Sequence, residues 1–372
     1  MVSAFTYAVY AIPMLLLSVL ILKKSGSSEL SQFTVFLGFS AVWATIFNNW
    51  IFIKLSKNTF QNNQRIRVYT KFFNLSVFFG VVLLAILYLN NFLTVLFMII
   101  LSALYGISFS SRAFLIRRLI VDSNFLGATI QSIVNIAPFV FLLIFYWLEF
   151  LDWDVLIVIL SIVNYLQFVV YVYRLDSNKS IERKQYDRDG GWFSLVSSAR
   201  VNSPILITYF ISEDDGKALA IIALASFLVR PMSHMFPLVS NAIYRLITHY
   251  NKDSVRAVFL ISALVSFFYA LLMLVSHNSI ESFFNISIDP NVWFMVLILL
   301  IQTTTGNVRN VLEYSEVQLL NFNGLLSKSL VSLFLCLFMI FFIGEIYGYA
   351  YSFIALLISE LTYVWLLKRR SI

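Results

Sequence analysis

Three charged side chains stand where charge is costly: Arg200, Arg230 and Glu360 each fall inside an apolar run. A charge in hydrocarbon usually faces an interior cavity, pairs with an opposite charge or marks a transport path. A guanidinium fork matches phosphate oxygens better than an ammonium group does, which makes Arg200 and Arg230 candidates for gripping a phosphorylated substrate. A plainer reading stays open, in which Arg200 snorkels to the interface and Arg230 is neutralised by Glu360. His234, one turn after Arg230, suits either proton coupling or simple packing. Amides recur at helical spacing: Gln131 with Asn135, Asn164 with Gln167, and Gln302 with Asn307, besides Asn48, Asn49 and Asn202. They could line a sugar-binding cavity, or join membrane helices by hydrogen bonds.

Other chemistries lack their parts. Gly216-Lys217 is followed by Ala218 and has no upstream glycine, so no phosphate-binding loop for ATP is expected. His234, His249 and His277 are scattered without metal-ligand spacing, and the single cysteine, Cys336, supports neither a disulfide nor a thiolate cluster. We expect no catalytic residue, no cofactor and no metal, and a carrier rather than an enzyme.

The elements that must hold these side chains are membrane helices. A chain of 372 residues that is 60% hydrophobic and 12% charged cannot use water as its main solvent. Its mean hydropathy is +0.85. Apolar runs of roughly 20 residues recur, the length a helix needs to cross about 30 Å of hydrocarbon. Each run satisfies its own backbone groups as a helix, so an all-α polytopic fold follows. Spans are expected near 5–23, 32–54, 69–89, 92–110, 125–149 and 153–173. Six more fall near 193–212, 218–244, 257–276, 291–312, 325–344 and 347–367. The start of the chain lacks the basic region of a cleaved signal peptide, so the first run counts as a span.

Positive charge fixes the expected orientation. Alternate loops hold Lys54, Lys57, Arg65, Arg67 and Lys71, then Arg112, Arg117 and Arg118, then Arg174, Lys179, Arg183, Lys184 and Arg188, then Arg245, Lys252 and Arg256. The tail ends Lys368-Arg369-Arg370, and the intervening loops are poor in Lys and Arg. Twelve spans with both termini cytoplasmic fit this alternation. Six of the seven tryptophans lie near span ends, where indole prefers the headgroup boundary. The net charge of +7 is explained by this sidedness and by contact with anionic lipid, with no nucleic-acid partner.

The polar stretch Asp176–Gly191 separates six spans from six. The expected organisation is an N-lobe over 1–175, a cytoplasmic linker over 176–192 and a C-lobe over 193–372, as in a carrier built from two six-helix units. Counting at ~1.5 Å per residue, Arg200 lies about 10 Å from the cytoplasmic end of its span. Arg230 and Glu360 lie about 20 Å from the outer ends of theirs. All three therefore share a depth in the cytoplasmic half.

Ser28-Glu29-Leu30-Ser31-Gln32-Phe33-Thr34-Val35-Phe36, leading into span two, resembles the corresponding segment of polysaccharide exporters. Ser226-Phe227-Leu228-Val229-Arg230-Pro231 through Phe236-Pro237-Leu238 resembles their eighth span, and Phe114-Leu115-Ile116-Arg117-Arg118 fits their basic juncture after span four. With the six-plus-six plan, the chain resembles the O-antigen and capsule flippases of the multidrug/oligosaccharidyl-lipid/polysaccharide exporter superfamily. That resemblance implies two lobes in a V, moving an undecaprenyl-pyrophosphate-linked oligosaccharide across the bacterial inner membrane by alternating access. It implies a cationic cavity for pyrophosphate and sugar, here assigned to Arg200 and Arg230. Lipid-linked oligosaccharide, membrane lipids and other polysaccharide-assembly membrane proteins are the implied partners. Two alternatives stay open: a multidrug exporter of the same fold, or a membrane-embedded glycan polymerase or acyltransferase of the same pathway.

Overall fold

The computed structural model describes residues 15–47, 98–106, 108, 125–174, 188–211, 216–246, 252–318 and 322–368. Among these residues every regular element is helical. The helices are α1 (15–24), α2 (Ser27–Phe47), α3 (98–106), α4 (Phe125–Trp147), α5 (Trp153–Arg174) and α6 (Arg188–Ile211). They continue as α7 (Gly216–Leu246), α8 (Lys252–Val275), the short α9 (His277–Phe284), α10 (Pro290–Gln318), α11 (Phe322–Tyr347) and α12 (Ser352–Lys368).

Four described helical segments are long and apolar enough to cross a membrane: Val255–Val275, Pro290–Glu313, Asn323–Tyr347 and Tyr349–Lys368. They coincide within a few residues with the last four spans expected from hydropathy. Their outer faces are greasy. Leu264, Phe267 and Phe268 on α8 and Phe334, Phe338 and Phe342 on α11 are all exposed. Such contiguous apolar surface is a liability in water and matches lipid as solvent. The chain is a helical membrane protein.

Two compact units are present, one drawing on Phe36–Ser198 and the other on Met14–Val35 and Ala199–Ile372. In the first, α4 packs against α5 around Phe139, Leu142, Tyr146, Leu156 and Leu160. There too, Phe36 of α2 meets Tyr105 of α3 at 5.4 Å between ring centroids, and Gly106 lies against the Ser40 backbone.

In the second unit, paired contacts fix the helix directions. Arg200 reaches Ser332 and Ser203 reaches Cys336, so α6 and α11 run parallel. Arg200 meets Glu360 while Thr208 meets Ser352, so α6 and α12 run antiparallel, eight residues of one matching eight of the other. Ser266 pairs with Thr304 at 2.9 Å and Asn307 donates to Ser262 at 3.2 Å, which makes α8 and α10 antiparallel. Tyr351 donates to Asn291 at 2.7 Å and Arg309 meets Glu360 at 2.7 Å, so α10 and α12 run parallel. Thus α6, α8 and α11 point one way and α10 and α12 the other. A chain threading back and forth through a slab produces this alternation.

The polar stretch between the halves ends earlier than sequence suggests. Helix α6 begins at Arg188 and takes in Gly190 and Gly191. The first turn of a helix tolerates glycine because its N–H groups have no intrahelical partners to lose.

Candidate functional site

The second unit encloses a ladder of alternating charges. Glu313 and Arg309 lie one turn apart on α10, with Glu313 Oε1 3.8 Å from Arg309 Nε. Arg309 Nη1 approaches Glu360 Oε1 on α12 at 2.7 Å, and Glu360 Oε2 lies 3.2 Å from Arg200 Nη2 on α6. One carboxylate therefore offers a separate oxygen to each of two guanidiniums. Arg200 also donates from Nη1 to Ser332 at 2.9 Å, and Ser332 donates onward to the Ser359 carbonyl at 2.7 Å. The Arg200 guanidinium lies 4.1 Å from the centroid of the Tyr363 ring, in cation–π range. Arg200 and Glu360 are 0% exposed, whereas Arg309 and Glu313 retain 15% and 16%. With two cations and two anions, the ladder is neutral when all four are ionised.

Local sequence prepares each position. Pro204 has no N–H to offer the Arg200 carbonyl one turn back, and the Ser203 hydroxyl donates to that carbonyl instead at 2.8 Å. Gly348, at φ +94°, reverses the chain between α11 and α12 in a region that L side chains avoid. The Tyr351–Asn291 bond then ties the turn before α12 to the start of α10, so that Glu360 comes across from Arg309. Gly306 keeps α10 slim there: a Cβ would sit 3.8 Å from Glu360 Oε1. By helical spacing Gln302, Gly306, Arg309 and Glu313 share one face of α10.

Arg230 lies elsewhere in the same unit. Its Nη1 donates to Ser18 of α1, and its guanidinium stands 5.9 Å from the Phe33 ring centroid on α2. Two of the stretches that carry the resemblance to exporters, 28–36 and 226–238, are thereby brought together. Neighbouring Tyr269 donates to the Leu228 carbonyl at 2.6 Å.

Two elements of the plainer reading are corrected. Glu360 neutralises Arg200 and Arg309 rather than Arg230, because α12 packs beside α10 while Arg230 turns toward α1 and α2. Arg200 does not snorkel: it is enclosed and paired. Among the amides, Asn164 is buried in α5 and donates to the Leu160 carbonyl of its own helix at 2.7 Å. Gln167, Asn202 and Gln302 are half-buried, on α5, α6 and α10. Gln131, Asn135 and His234 belong to α4 and α7, and their side chains lie outside the described residues, as do Asn48 and Asn49.

Sequence reading missed Arg309, Glu313, Tyr363 and Ser332. The available signal was the i, i+4 spacing of Arg309 and Glu313 at the end of an apolar run, where such charges pass for interfacial ones.

A scan against protein-family models finds no match to this chain, and a search of curated proteins finds none either.

Proposed function

We propose that the protein is a twelve-span carrier that moves an undecaprenyl-pyrophosphate-linked oligosaccharide across the bacterial inner membrane by alternating access. Both termini are cytoplasmic in this reading, with six-helix lobes on either side of the 176–192 linker. The observation that carries it is the gathering of guanidinium groups in one helical unit that contains four apolar, membrane-length helices, with Arg200 on α6, Arg230 on α7 and Arg309 on the span Pro290–Glu313. Buried charge costs several kcal/mol per ion even when paired, so a bundle needing only stability gains more from apolar packing.

Arg200 and Arg230 divide the work. Arg200 is sealed behind Glu360 and holds α6, α11 and α12 together. Arg230 is half-buried beside the Ser18 hydroxyl and the Phe33 ring, and its guanidinium fork has the geometry that matches phosphate oxygens. The acidic residues of the ladder are matched by arginines, which disfavours cationic drugs as cargo.

Deleting the gene and locating the lipid-linked repeat unit tests the reading. Accumulation in the inner leaflet, rescued by the wild type and not by Arg230→Ala, is the expected result. Normal delivery to the outer leaflet without the protein would remove the proposed function.

A further inference from the structure

The helix α9 is too short to span, and its position is fixed by the spans on either side. Val275 ends one membrane-length segment and Pro290 begins the next, so residues 276–289 stay at a single membrane surface whichever way the chain is oriented. Helices α8 and α10 are antiparallel neighbours, and about two to five residues suffice to join such a pair. The longer segment folds into α9 and is tied down. Asn285, at φ +55°, closes the helix in the left-handed conformation, and the Glu281 carboxylate accepts from the Ile288 N–H at 2.6 Å.

The sides of α9 differ in chemistry. Toward the protein, Phe284 meets Phe227 of α7 edge to face at 5.5 Å between ring centroids, and His277 meets Trp293 of α10 at 5.1 Å. His277 Nε2 also lies 3.5 Å from Glu281 Oε2 on the same side. By helical spacing Ile280 and Phe283 flank that side one way, while Asn278 and Ser282 flank it the other. None of the eight residues is buried, Asn278 and Ser282 are exposed, and Phe283 is 56% exposed. The apolar exposure continues along the chain into Leu272, Leu274 and Val275 at the end of α8. Above the open Phe283 ring stands a cation: Lys23, at the end of α1, holds Nζ 4.5 Å from its centroid.

We propose that α9 lies flat in the headgroup layer of the membrane, with Phe283 inserted at the acyl boundary and Asn278 and Ser282 facing water. The partner is the phospholipid surface, and the Lys23 ammonium meets a lipid phosphate there. Continuity with the lipid-facing side of α8 singles out this occupant, because the greasy flank of α9 begins where that side ends. An amphipathic helix gains by this arrangement, since one flank leaves water while the other keeps it. Lysine suits the boundary too: its stem covers apolar surface while the charge stays at headgroup level. The placement rests on the membrane character of the helices and not on the cargo, so it stands or falls separately from the flippase reading.

Electron paramagnetic resonance of the full chain in nanodiscs of phosphatidylcholine and phosphatidylglycerol tests the placement. Spin labels would be attached to Phe283→Cys, Ser282→Cys, Asn278→Cys and the span reference Leu274→Cys, each in a Cys336→Ala background. All four positions are exposed, so the labels leave the packing intact. At 283 the ratio of collisions with oxygen to collisions with a water-soluble nickel chelate should exceed that at 282 and 278 several-fold, approaching the value at 274. A label at 283 as open to nickel as its two polar neighbours overturns the placement, since α9 then stands off the membrane. A label at 283 shielded from both reagents overturns it as well, because protein then covers the ring. Native mass spectrometry tests the ammonium: Lys23→Gln should retain fewer phosphatidylglycerol molecules than wild type, and equal retention overturns the phosphate contact.

Discussion

Replacing Glu360 by Gln keeps the side chain's shape and removes the one anion that two arginines share. Arg200 is then left fully enclosed beside Ser332 and the Tyr363 ring without an anion at its guanidinium, and Arg309 loses its closest carboxylate, the next being Glu313 at 3.8 Å. Removing one partner of a buried ion pair costs about 3–5 kcal/mol because the remaining charge stays buried. Arg200→Met is milder, since Glu360 keeps Arg309 at 2.7 Å; the loss is about 1.5–3 kcal/mol, the scale of a charged hydrogen bond. In the double variant Arg200 is no longer stranded, so the cost falls short of the two single costs added together by about 0.5–3 kcal/mol. At about 2–4 °C per kcal/mol for a unit of this size, Glu360→Gln should lower the melting temperature by about 6–20 °C. Cys336 provides the assay: it is the only cysteine, it is buried, and it lies 3.3 Å from Ser203 beside the ladder. A thiol-reactive fluorophore therefore reports the opening of this packing during a thermal ramp. If Glu360→Gln melts with the exposed control Glu345→Gln, or if the double variant is simply additive, the ladder is not the buried, coupled unit described here.

Two further expectations concern close packing and topology. Gly106→Ala would drive a Cβ into the Ser40 backbone carbonyl and should cost about 1–3 kcal/mol, whereas Gly306→Ala meets only ordinary contact with Glu360 and should be neutral or stabilising by up to about 1 kcal/mol; thermal unfolding of the two variants checks the contrast. A cysteine placed in the linker, at Ser180 for instance in a Cys336→Ala background, should react with a membrane-impermeant thiol reagent only after the cytoplasmic face is opened, and labelling in intact cells would invert the proposed orientation.

The parts of this fold that follow from length and composition were readable in the sequence. Apolar runs gave the last four spans to within a few residues, because a helix that must cross hydrocarbon declares its length in hydropathy. One pairing across helices was readable as well. Counting along two separate runs put Arg200 and Glu360 at one level, and they meet at 3.2 Å. What counting along an axis leaves open is which neighbour a side chain faces. The same counting expected Arg230 at that level, yet Arg230 turns to Ser18 and Phe33 while Glu360 takes Arg309. Arg309 and Glu313 escaped notice because charges at the end of a span look like the interface, and only the packing of α12 onto α10 draws them into the interior.

The proposed activity is tested most directly in liposomes. The purified protein would be reconstituted with a polyprenyl-pyrophosphate-linked oligosaccharide that is labelled in the inner leaflet only. Wild-type protein should bring the glycan within reach of an external lectin, Arg230→Ala should do so far more slowly, and protein-free vesicles should not. Equal rates for all three would contradict the account.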